Sequence, residues 1–417
     1  MSGLLTMKVK NMKKMKRLLL VVACCMAIQL SAQEKPTVTL GRWVGTWAAA
    51  PQPVVKAYMP YDNNMTNRSV RQIVKVSIGG NVLRLRLSNI YSSEPVEIRS
   101  IYIALAKDSF ELYPHTARYL QFGKKYRVVI PAGKETVSDP LKFDLRGLDR
   151  LAITINYTKA PSVPTVHMGS RTTSYIMSGV TTAQTNFGKA FREEHWFNIA
   201  GIDVFDIKSE AIAIIGNSIT DGKNSNDNAQ NRWPDMMSEA FQLKHQIDYL
   251  GVLNLGIGNN RVTLPGGFGA QAKVRFDHDI LEQSGVTHVI IFEGVNDIGA
   301  ARGNSEQVAA ELIACYEQMI RKAKALKLKV YLGTITPFEG AGYYTFFHEA
   351  ARETVNEWIR GQYKNVDGIL DFAELLQDPA NVHRMRKEYQ SDWLHPNAEG
   401  YRVMGYYAAE ILTRKSK

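Results

Sequence analysis

The hydrophobic pattern of this chain changes character near Ile207, and the change separates two stretches that must fold differently. Before this point, short runs alternate between apolar and polar residues, which is typical of strands with one face on a core and the other in water. The pattern predicts strands at Val74–Ile78, Val82–Leu87, Val96–Ala104, Tyr126–Ile130 and Leu151–Tyr157, with a hairpin turn at 79–81.

After Glu210, strand-length apolar runs alternate with helix-length amphipathic segments. The runs are apolar almost throughout, which indicates strands covered on both faces. Repetition of strand, helix and strand implies right-handed crossovers and a doubly wound parallel sheet, whose ligands bind at the carboxyl ends of the strands. We predict strands at 211–215, 249–253, 286–292, 330–335 and 366–370, and helices at 233–243, 306–326, 345–363 and 396–412, with Pro234 and Pro396 in first turns.

The first 32 residues have the layout of a secretory signal. Six basic side chains up to Arg17 precede an apolar run at Leu18–Leu30, and the small residues Ser31 and Ala32 follow it. The run is too short to span a bilayer, and no later run is longer. We therefore expect an exported protein, periplasmic or extracellular, without stable membrane insertion. The alternative is a lipoprotein signal in which Cys24 is acylated.

A chain of 417 residues is long enough for two domains after the signal is removed. We predict a signal peptide at 1–32, an all-β, jelly-roll-like sandwich at 33–207, and a doubly wound, flavodoxin-like α/β domain at 208–417. Cys315 is the only cysteine after the apolar run, so no intramolecular disulfide is expected. No basic run or aromatic-rich basic patch follows the signal, so we expect no nucleic-acid partner.

The sequence gives no reason to expect a cofactor or a metal. The nine histidines are scattered without the close pairs of a metal site. The segment 221–228 is rich in oxygen ligands but lacks the glycine and closing glutamate of a calcium loop, so we expect a solvated loop there. Gly216 and Gly222 lack the spacing and the following lysine of a phosphate loop.

Two short motifs supply complementary chemistry. Ser218 follows the first strand of the second part, where its hydroxyl would stand at the turn into a helix. A serine hydroxyl becomes a nucleophile only beside a base, and His395 is the candidate base, with Asp392 three residues earlier to orient it. The alternatives are that Ser218 caps the following segment, and that Asp392 and His395 are a cap and a surface residue before the last helix.

A third motif and a glycine-rich loop supply hydrogen-bond donors. Asn296 follows the predicted strand at 286–292, and its side-chain amide could bind the oxyanion of a tetrahedral intermediate; the alternative is a turn-forming Asn-Asp pair. The loop at 256–260 follows the strand at 249–253 and presents a backbone N–H, as does Ser218 itself. Together, these residues favour an acyl-transfer site.

These motifs, in this order, resemble those of the SGNH hydrolases, also called the GDSL esterase family, over roughly 210–412. The resemblance implies that Ser218 is the nucleophile, that Asp392 and His395 complete a catalytic triad, and that Asn296 is an oxyanion donor. The oxyanion hole would then be formed by the N–H of Ser218, the N–H of Asn259 and the amide of Asn296.

Two residues depart from the family pattern. The second oxyanion donor is usually a glycine N–H, and this chain has Asn259 at that position, directly after Gly258. Asparagine keeps the N–H and tolerates positive φ better than other non-glycine residues. Asn217 replaces the usual aspartate before the nucleophile, which removes a negative charge but keeps an acceptor oxygen. We expect modest consequences from both replacements.

The stretch from Trp43 to Phe205 resembles the amino-terminal β-domain of secreted esterases in this group, several of which are linked to deacetylation of plant polysaccharides. The resemblance implies a serine esterase that removes small acyl groups, acetyl above all, from carbohydrate through an acyl-enzyme. The alternatives are a lipolytic or aryl esterase of the same mechanism, and a catalytically silent carbohydrate-binding protein in which Asn217 marks loss of activity.

A few further side chains have two interpretations each. The aromatic residues Tyr58, Tyr61 and Tyr343 could stack on sugar rings, although packing or ordinary surface exposure is the simpler expectation for each of them. His167 lies between turn-rich stretches of the first part, and we expect a structural rather than a catalytic role for it.

Overall fold

The computed structural model of this chain describes residues 41–55, 58 and 64–414. The predicted signal peptide at 1–32, the alternative acylation site Cys24 and Tyr61 lie outside these residues. The chain from Gly41 onward packs as one unit. Within it we distinguish a β region, residues 42–206, and an α/β region, residues 210–413. The division into separate domains at 207–208 stays a prediction.

The β region is built from antiparallel strands. Its strands are β1 Arg42–Ala48, β2 Gln52–Pro53, β3 Arg68–Lys75, β4 Gly80–Ser88, β5 Val96–Asp108, β6 Glu111–Leu112, β7 Arg118–Tyr119, β8 Val128–Ile130, β9 Glu135–Val137, β10 Leu141–Leu145, β11 Arg150–Lys159, β12 Thr165–His167, β13 Ser174–Ser178, β14 Phe191–Glu193, β15 Trp196–Phe197 and β16 Ile199–Asp206. One sheet has the order β1-β16-β4-β10, with β9 against β4. A larger sheet has the order β14-β13-β3-β11-β5-β6, with β7 and β8 against β5, and β15-β12-β2 form a third.

The alternation of apolar and polar residues along β4 shows why this segment forms a half-buried strand. Leu83, Leu85 and Leu87 are buried in the main hydrophobic core, and the two arginines between them point the other way. The guanidinium of Arg84 donates to Asp203 of β16 at 2.8 Å, so the polar face is also satisfied. The strand predicted at 82–87 is therefore confirmed, one face on the core and the other on charged partners.

The hairpin predicted at 79–81 is wrong. The strands on either side of it, β3 and β4, belong to different sheets, so the segment carries the chain from one sheet to the other. Gly79 lies against the backbone of Leu145, where a Cβ would stand 2.4 Å from the carbonyl oxygen. The glycine is needed for this close crossing and not for a two-residue turn.

The α/β region contains a five-stranded parallel sheet and eight α-helices among the described residues. Its strands are β17 Glu210–Gly216, β18 Leu250–Gly256, β19 Val286–Phe292, β20 Lys329–Gly333 and β21 Gly368–Leu370, and a short hairpin adds β22 Gln377–Asp378 and β23 Asn381–Met385. The order β18-β17-β19-β20-β21 is the flavodoxin-like order, which confirms the predicted doubly wound sheet.

Four of the eight helices follow the predicted amphipathic segments closely, and the other four are short and were not predicted. The eight helices are α1 Ser218–Asp221, α2 Trp233–Glu239, α3 Ala272–Phe276, α4 Val295–Ala300, α5 Ser305–Ala325, α6 Phe346–Gly361, α7 Phe372–Leu376 and α8 Ala398–Thr413. The α/β region also has π-helical turns at Ala240–Lys244 and Asp277–Leu281 and 3₁₀ turns at Gln362–Lys364 and Lys387–Tyr389, and the β region has a 3₁₀ turn at Pro114–Thr116. None of these helices has the length and apolar character that a bilayer crossing requires.

Two prolines were expected in first helical turns, and only one is there. Pro234 lies in the first turn of α2. The last helix begins after Pro396, because the Asn397 side chain accepts the N–H of Gly400 at 3.0 Å and so caps α8. An N-cap that satisfies an otherwise unpaired N–H fixes the helix start more firmly than a proline does.

Strand β17 shows how the parallel sheet is covered on both faces. Ala211, Ala213 and Ile215 belong to the main core, which continues into the β region. The intervening Ile212 and Ile214 belong to a second core under α2 and α8. Burial on both faces explains why this strand is apolar throughout, and it fixes the strand whose carboxyl end carries Ser218.

Candidate active site

Ser218 stands where the central strand of the parallel sheet turns into α1. Strand β17 ends at Gly216, and a Cβ there would lie 2.1 Å from the Thr220 hydroxyl, so only glycine fits the tight turn. The helix is capped by Asn217, whose side-chain oxygen accepts the N–H of Ile219 at 3.0 Å. Because Asn217 is the cap, the Ser218 hydroxyl is left available for another partner.

That partner is His395. The Ser218 Oγ lies 2.8 Å from His395 Nε2, and His395 Nδ1 lies 2.8 Å from Asp392 Oδ2. A carboxylate beside Nδ1 keeps the proton on that nitrogen and leaves Nε2 as the acceptor for a hydroxyl proton. The structure thus brings the three predicted residues into the order of a hydroxyl, a base and an orienting carboxylate.

The loop before α8 folds the carboxylate of Asp392 back onto the imidazole. Asp392 Oδ1 accepts the backbone N–H of Leu394 at 3.1 Å and of His395 at 2.7 Å. The turn places Trp393 at φ 64°, a left-handed conformation that costs on the order of 1 kcal/mol for a non-glycine residue. Local hydrogen bonds therefore hold a strained turn that aims Asp392 at Nδ1.

Asp392 is held in its charged form by its partners. Partial burial acts to raise the pKa of Asp392. Hydrogen bonds from the ring and backbone N–H of His395 and from the N–H of Leu394, together with the charge of His395, outweigh that effect and keep the pKa well below its usual range. The side chain is 44% exposed, and Asn224 donates to its Oδ2 at 3.0 Å. Sequence reasoning missed Asn224, which lies in a loop with no distinctive motif.

The predicted oxyanion donors follow the two strands that flank β17. Gly216 of β17 pairs in register with Gly256 of β18 and with Phe292 of β19, so the three strands end at the same level. The following residues Ser218, Asn259 and Asn296 therefore come from one edge of the sheet.

The loop at 256–260, hereafter the oxyanion loop, holds Asn259 in the expected conformation. Asn259 has φ 54°, and the N–H of Asn260 donates to the carbonyl of Ile257 at 3.1 Å to close the turn. The Ile257 N–H donates in turn to the carbonyl of Gly216 at 2.9 Å, directly ahead of the turn at Ser218. The left-handed φ explains why glycine or asparagine suits this position.

Asn296 lies in the first turn of α4 and is hydrogen-bonded to the same loop. Its Nδ2 donates to the carbonyl of Asn260 at 2.8 Å, and its Oδ1 accepts the hydroxyl of Tyr343 at 3.2 Å. A side-chain amide has two N–H groups, so one is left for an oxyanion. Its burial and these two contacts fix the amide in orientation.

Asp297 holds the segment that follows the oxyanion loop. Its carboxylate accepts the backbone N–H groups of Val262, Thr263 and Leu264 at 2.8 to 3.0 Å. The sequence offered the Asn-Asp pair only as an oxyanion donor or a simple turn. Its second residue is a fully buried anchor between α4 and the loop, a role that its position next to Asn296 could have suggested.

Glu293 is a further buried group, close to Asn217 in the turn before Ser218, that sequence reasoning missed. Complete burial raises its pKa to about 8, against the opposing charge of Arg275, whose Nη2 lies 3.6 Å from Oε1. The negative charge of Asp297 also raises this pKa, and the neighbouring Asn217 side chain lowers it. Asn217 thus faces a carboxyl group, which gives a physical reason for an amide at this position.

A cavity of about 540 Å³ lies beside Tyr343. It is lined by Arg261, Tyr343 and the segment 299–302, and its surface is mostly polar. Tyr343 connects it to the site through the hydrogen bond to Asn296. Of the aromatic residues considered as sugar platforms, Tyr58 packs on His195 and Phe268, whereas Tyr343 faces this cavity.

The described residues include one group that could hold a metal ion: Glu349, Glu353 and His383, whose ligand atoms lie within 4.8 Å of one another. Glu349 is already paired with Arg352 and with His383. The group contains no residue of the Ser218 site.

The prediction of a solvated loop at 221–228 is wrong at its first residue, because Asp221 is buried.

The comparisons with known proteins cover this part of the chain. The sequence profile of the GDSL-like lipase/acylhydrolase family matches residues 214–403. No curated protein sequence matches the chain.

Solved structures of similar fold cover about half of this chain. A protein assigned to the lipolytic G-D-S-L family, from Desulfitobacterium hafniense DCB-2, is 25% identical over 49% of this chain and 99% of its own, with a TM-score of 0.38. The acetyl xylan esterase AlAXEase is 20% identical over 48% and 97%, with a TM-score of 0.35. Est24, a carbohydrate acetylesterase from Sinorhizobium meliloti, is 14% identical over 49% and 98%, with a TM-score of 0.37.

The family match spans every motif from the end of β17 to the start of α8, including the turn at Ser218 and the loop at His395. Residues 214–403 therefore form a domain of the GDSL-like lipase/acylhydrolase family, a family of carboxylic ester hydrolases.

Proposed function

We propose that this protein is an exported serine esterase that removes small acyl groups, acetyl above all, from carbohydrate, with Ser218, His395 and Asp392 as its catalytic triad. The observation that carries the proposal is the contact of 2.8 Å between Ser218 Oγ and His395 Nε2, backed by Asp392. A hydroxyl paired with an oriented imidazole is the arrangement that activates serine toward an ester carbonyl.

The reaction follows from these contacts. Ser218 Oγ attacks the ester carbonyl carbon as its proton passes to His395 Nε2, and the carbonyl oxygen becomes an oxyanion that accepts hydrogen bonds from Ser218 N–H, Asn259 N–H and Asn296 Nδ2. The Ser218 N–H is free to donate because the first residue of a helix has no intrahelical acceptor. The imidazolium then protonates the leaving alcohol, and a water deprotonated by His395 releases the acyl group from Ser218.

The cavity beside Tyr343 supports a sugar rather than a long acyl chain as the ligand. Its surface is mostly polar, with the guanidinium groups of Arg261 and Arg302 and the phenol of Tyr343. Long acyl chains bind apolar pockets, whereas hydroxyl-rich ligands use polar side chains and the faces of aromatic rings. Tyr343 combines an aromatic face with a hydroxyl that already contacts the proposed oxyanion donor.

The first test is hydrolysis of p-nitrophenyl acetate by purified protein. We expect turnover by the wild type and a loss of about 10⁴-fold or more in kcat for Ser218→Ala. Wild-type inactivity on every ester, with retained binding of polysaccharide, would support the silent binding protein instead.

Substrate class is then decided by comparing acetylated xylan and acetylated monosaccharides with esters of longer acids. We expect kcat/KM to be highest for acetyl groups on sugars and to fall as the acyl chain lengthens. A preference for long-chain or aryl esters would favour the lipolytic alternative. Tyr343→Ala should lower kcat/KM on acetylated xylan more than on p-nitrophenyl acetate, because only the former offers a sugar ring.

Export is tested separately. Expression of the full chain followed by amino-terminal sequencing should show a mature protein that begins after Ala32. An acylated amino terminus at Cys24, lost in Cys24→Ser, would support the lipoprotein alternative.

A further inference from the structure

His167 is a buried histidine of the β region that the reaction does not use. It ends β12, and its ring stacks on Trp196 at a centroid distance of 5.6 Å. Its Nδ1 lies 2.9 Å from the carbonyl oxygen of Ala50, and its Nε2 lies 2.9 Å from Asp221 Oδ1. The side chains of His167 and Asp221 are only 3% and 1% exposed.

Both ring nitrogens of His167 face an oxygen atom. The carbonyl oxygen of Ala50 and the carboxylate of Asp221 hold the ring in one orientation by contacts at both nitrogens. The negative charge on Asp221 is supported at its other oxygen, where Arg171 Nη2 lies 3.6 Å away. A buried pair of side chains with hydrogen-bond partners at each of these atoms is restricted in orientation on both sides.

Asp221 connects His167 to the proposed active site. It is the last residue of α1, the helix that begins with Ser218. Its Oδ2 accepts the N–H of Gly258 at 3.0 Å, and Gly258 directly precedes Asn259. Gly169, two residues after His167, leaves room for this carboxylate, because a Cβ there would lie 1.9 Å from Oδ2. One carboxylate therefore joins the β region, the nucleophile helix and the oxyanion loop.

We propose that His167 is a positioning residue for the oxyanion hole. By fixing the Asp221 carboxylate, it fixes the Gly258 N–H and so restrains the next peptide unit, which presents the Asn259 N–H to the oxyanion. The β region then contributes to catalysis through a buried contact rather than only through substrate binding. This inference rests on the proposed esterase function, in which the Asn259 N–H is an oxyanion donor.

The first experiment is His167→Phe. Phenylalanine keeps the stacking on Trp196 but removes both ring nitrogens. We expect kcat to fall about 10- to 100-fold with KM nearly unchanged, since loss of a whole oxyanion donor costs about 10²- to 10³-fold. The Ki of methylboronic acid, which forms a tetrahedral adduct on serine, should rise in parallel, because the adduct uses the same donors.

The rescue variant is Asp221→Asn. An amide can donate to a neutral His167 through Nδ2 and still accept the Gly258 N–H through Oδ1, so the geometry survives without the carboxylate charge. We expect its kcat to lie within about threefold of the wild type, whereas Asp221→Ala should match His167→Phe. The double variant His167→Phe with Asp221→Ala should lose no more than either single variant, because both act through one contact.

Gln242→Ala is the matched control for the interface. Gln242 Nε2 donates to the carbonyl of Ser77 at 2.8 Å, another contact between the two regions that does not touch the oxyanion loop. Gln242→Ala should lower the melting temperature as His167→Phe does, but it should leave kcat unchanged. A fall in kcat for Gln242→Ala equal to that for His167→Phe would overturn the proposal, because a general loosening of the interface would then explain both.

A readout independent of activity separates this proposal from the proposed function. Amide hydrogen exchange in the oxyanion loop should be faster in His167→Phe than in wild type, and restored to the wild-type rate in Asp221→Asn. Unchanged exchange in His167→Phe, or a wild-type kcat in a folded His167→Phe protein, would overturn the positioning role. An inactive wild type that still shows the exchange difference would overturn the esterase assignment alone.

Discussion

Ser218 Oγ and His395 Nε2 lie 2.8 Å apart, although 177 positions separate the two residues. The topology of the sheet brings them together. Ser218 follows the central strand β17, and His395 lies in the loop before α8, the helix that packs against α2 on the same side of the sheet. Their contact depends on the whole α/β region being folded, so any variant that unfolds this region should lose activity with it.

Asn296→Ala should lower kcat about 10²- to 10³-fold with little change in KM, because its amide acts on the charge that develops in the transition state. Tyr343→Phe removes the hydroxyl that contacts Asn296 Oδ1 but leaves Nδ2 bonded to Asn260, so we expect a loss of only about threefold to tenfold. Steady-state kinetics on p-nitrophenyl acetate would measure both. Equal losses in the two variants would contradict the assignment of Asn296 as the donor.

Asp392→Asn should lower kcat by about 10³- to 10⁴-fold, because the amide favours the wrong tautomer of His395 and cannot stabilise the imidazolium. Asn224→Ala removes a single, partly exposed hydrogen bond to Asp392, and we expect a loss of about threefold. We would measure the pH–rate profiles of Asp392→Asn and Asn224→Ala and compare each with that of the wild type. A neutral effect of Asp392→Asn would show that the carboxylate does not orient the base.

Asn217→Asp should destabilise the fold although it recreates the residue usual in the family. The new carboxylate would face Glu293, which burial keeps protonated below a pKa of about 8. The two carboxylates should therefore repel each other above that pH, where the unfolding is measured. Glu293→Gln in the same chain should remove the repulsion, with a coupling energy of about 1–3 kcal/mol in a double-mutant cycle of urea unfolding.

Asn217→Ser is the control for this cycle, because serine keeps a capping oxygen and adds no charge. We expect it to show almost no coupling with Glu293→Gln. Additive effects for Asn217→Asp and Glu293→Gln would mean that Glu293 is not the reason for the amide at position 217.

The stability of the fold should depend on pH through Glu293. Burial raises its pKa from 4.5 to about 8. The folded state therefore binds a proton that the unfolded state has released, and the stability linked to it is fully present below the unfolded pKa and lost as pH rises through the folded value. The free energy of unfolding should fall between about pH 5 and pH 8 by at most about 5 kcal/mol from this group.

Glu293→Gln is neutral at every pH, so it should flatten this part of the stability profile. Urea unfolding of the wild type and the variant at about pH 5 and about pH 8 measures the difference. Parallel profiles for the two proteins would contradict the raised pKa of Glu293.

Much of the fold can be predicted from the local pattern of apolar and polar residues along the chain. The apolar run at 286–292 became a strand with the predicted bounds, and β17 is apolar throughout because alternate residues enter different cores. The hairpin at 79–81 failed for a physical reason: glycines that permit a tight turn also permit a close crossing against another strand, and only the packing of Gly79 on Leu145 distinguishes the two.

The residues of the candidate site also divide into those that could be predicted from the sequence and those that could not. Ser218, Asn296, Asp392 and His395 could be located because their chemistry needs particular residue types after particular strands. Glu293 and the pair of His167 with Asp221 could not, because their roles arise from burial and from contacts between distant segments. For His167, the sequence predicted a structural role, and its contacts extend that role toward the oxyanion loop.

The most direct test of the account is the mass of the enzyme during turnover. Rapid acid quenching of the wild type with an acetyl ester, followed by proteolysis and mass spectrometry, should show one acetyl group on the peptide that contains Ser218. His395→Ala should abolish that adduct. An acetyl group on a different residue, or turnover that persists in Ser218→Ala, would contradict the central claim that the Ser218 hydroxyl is the nucleophile.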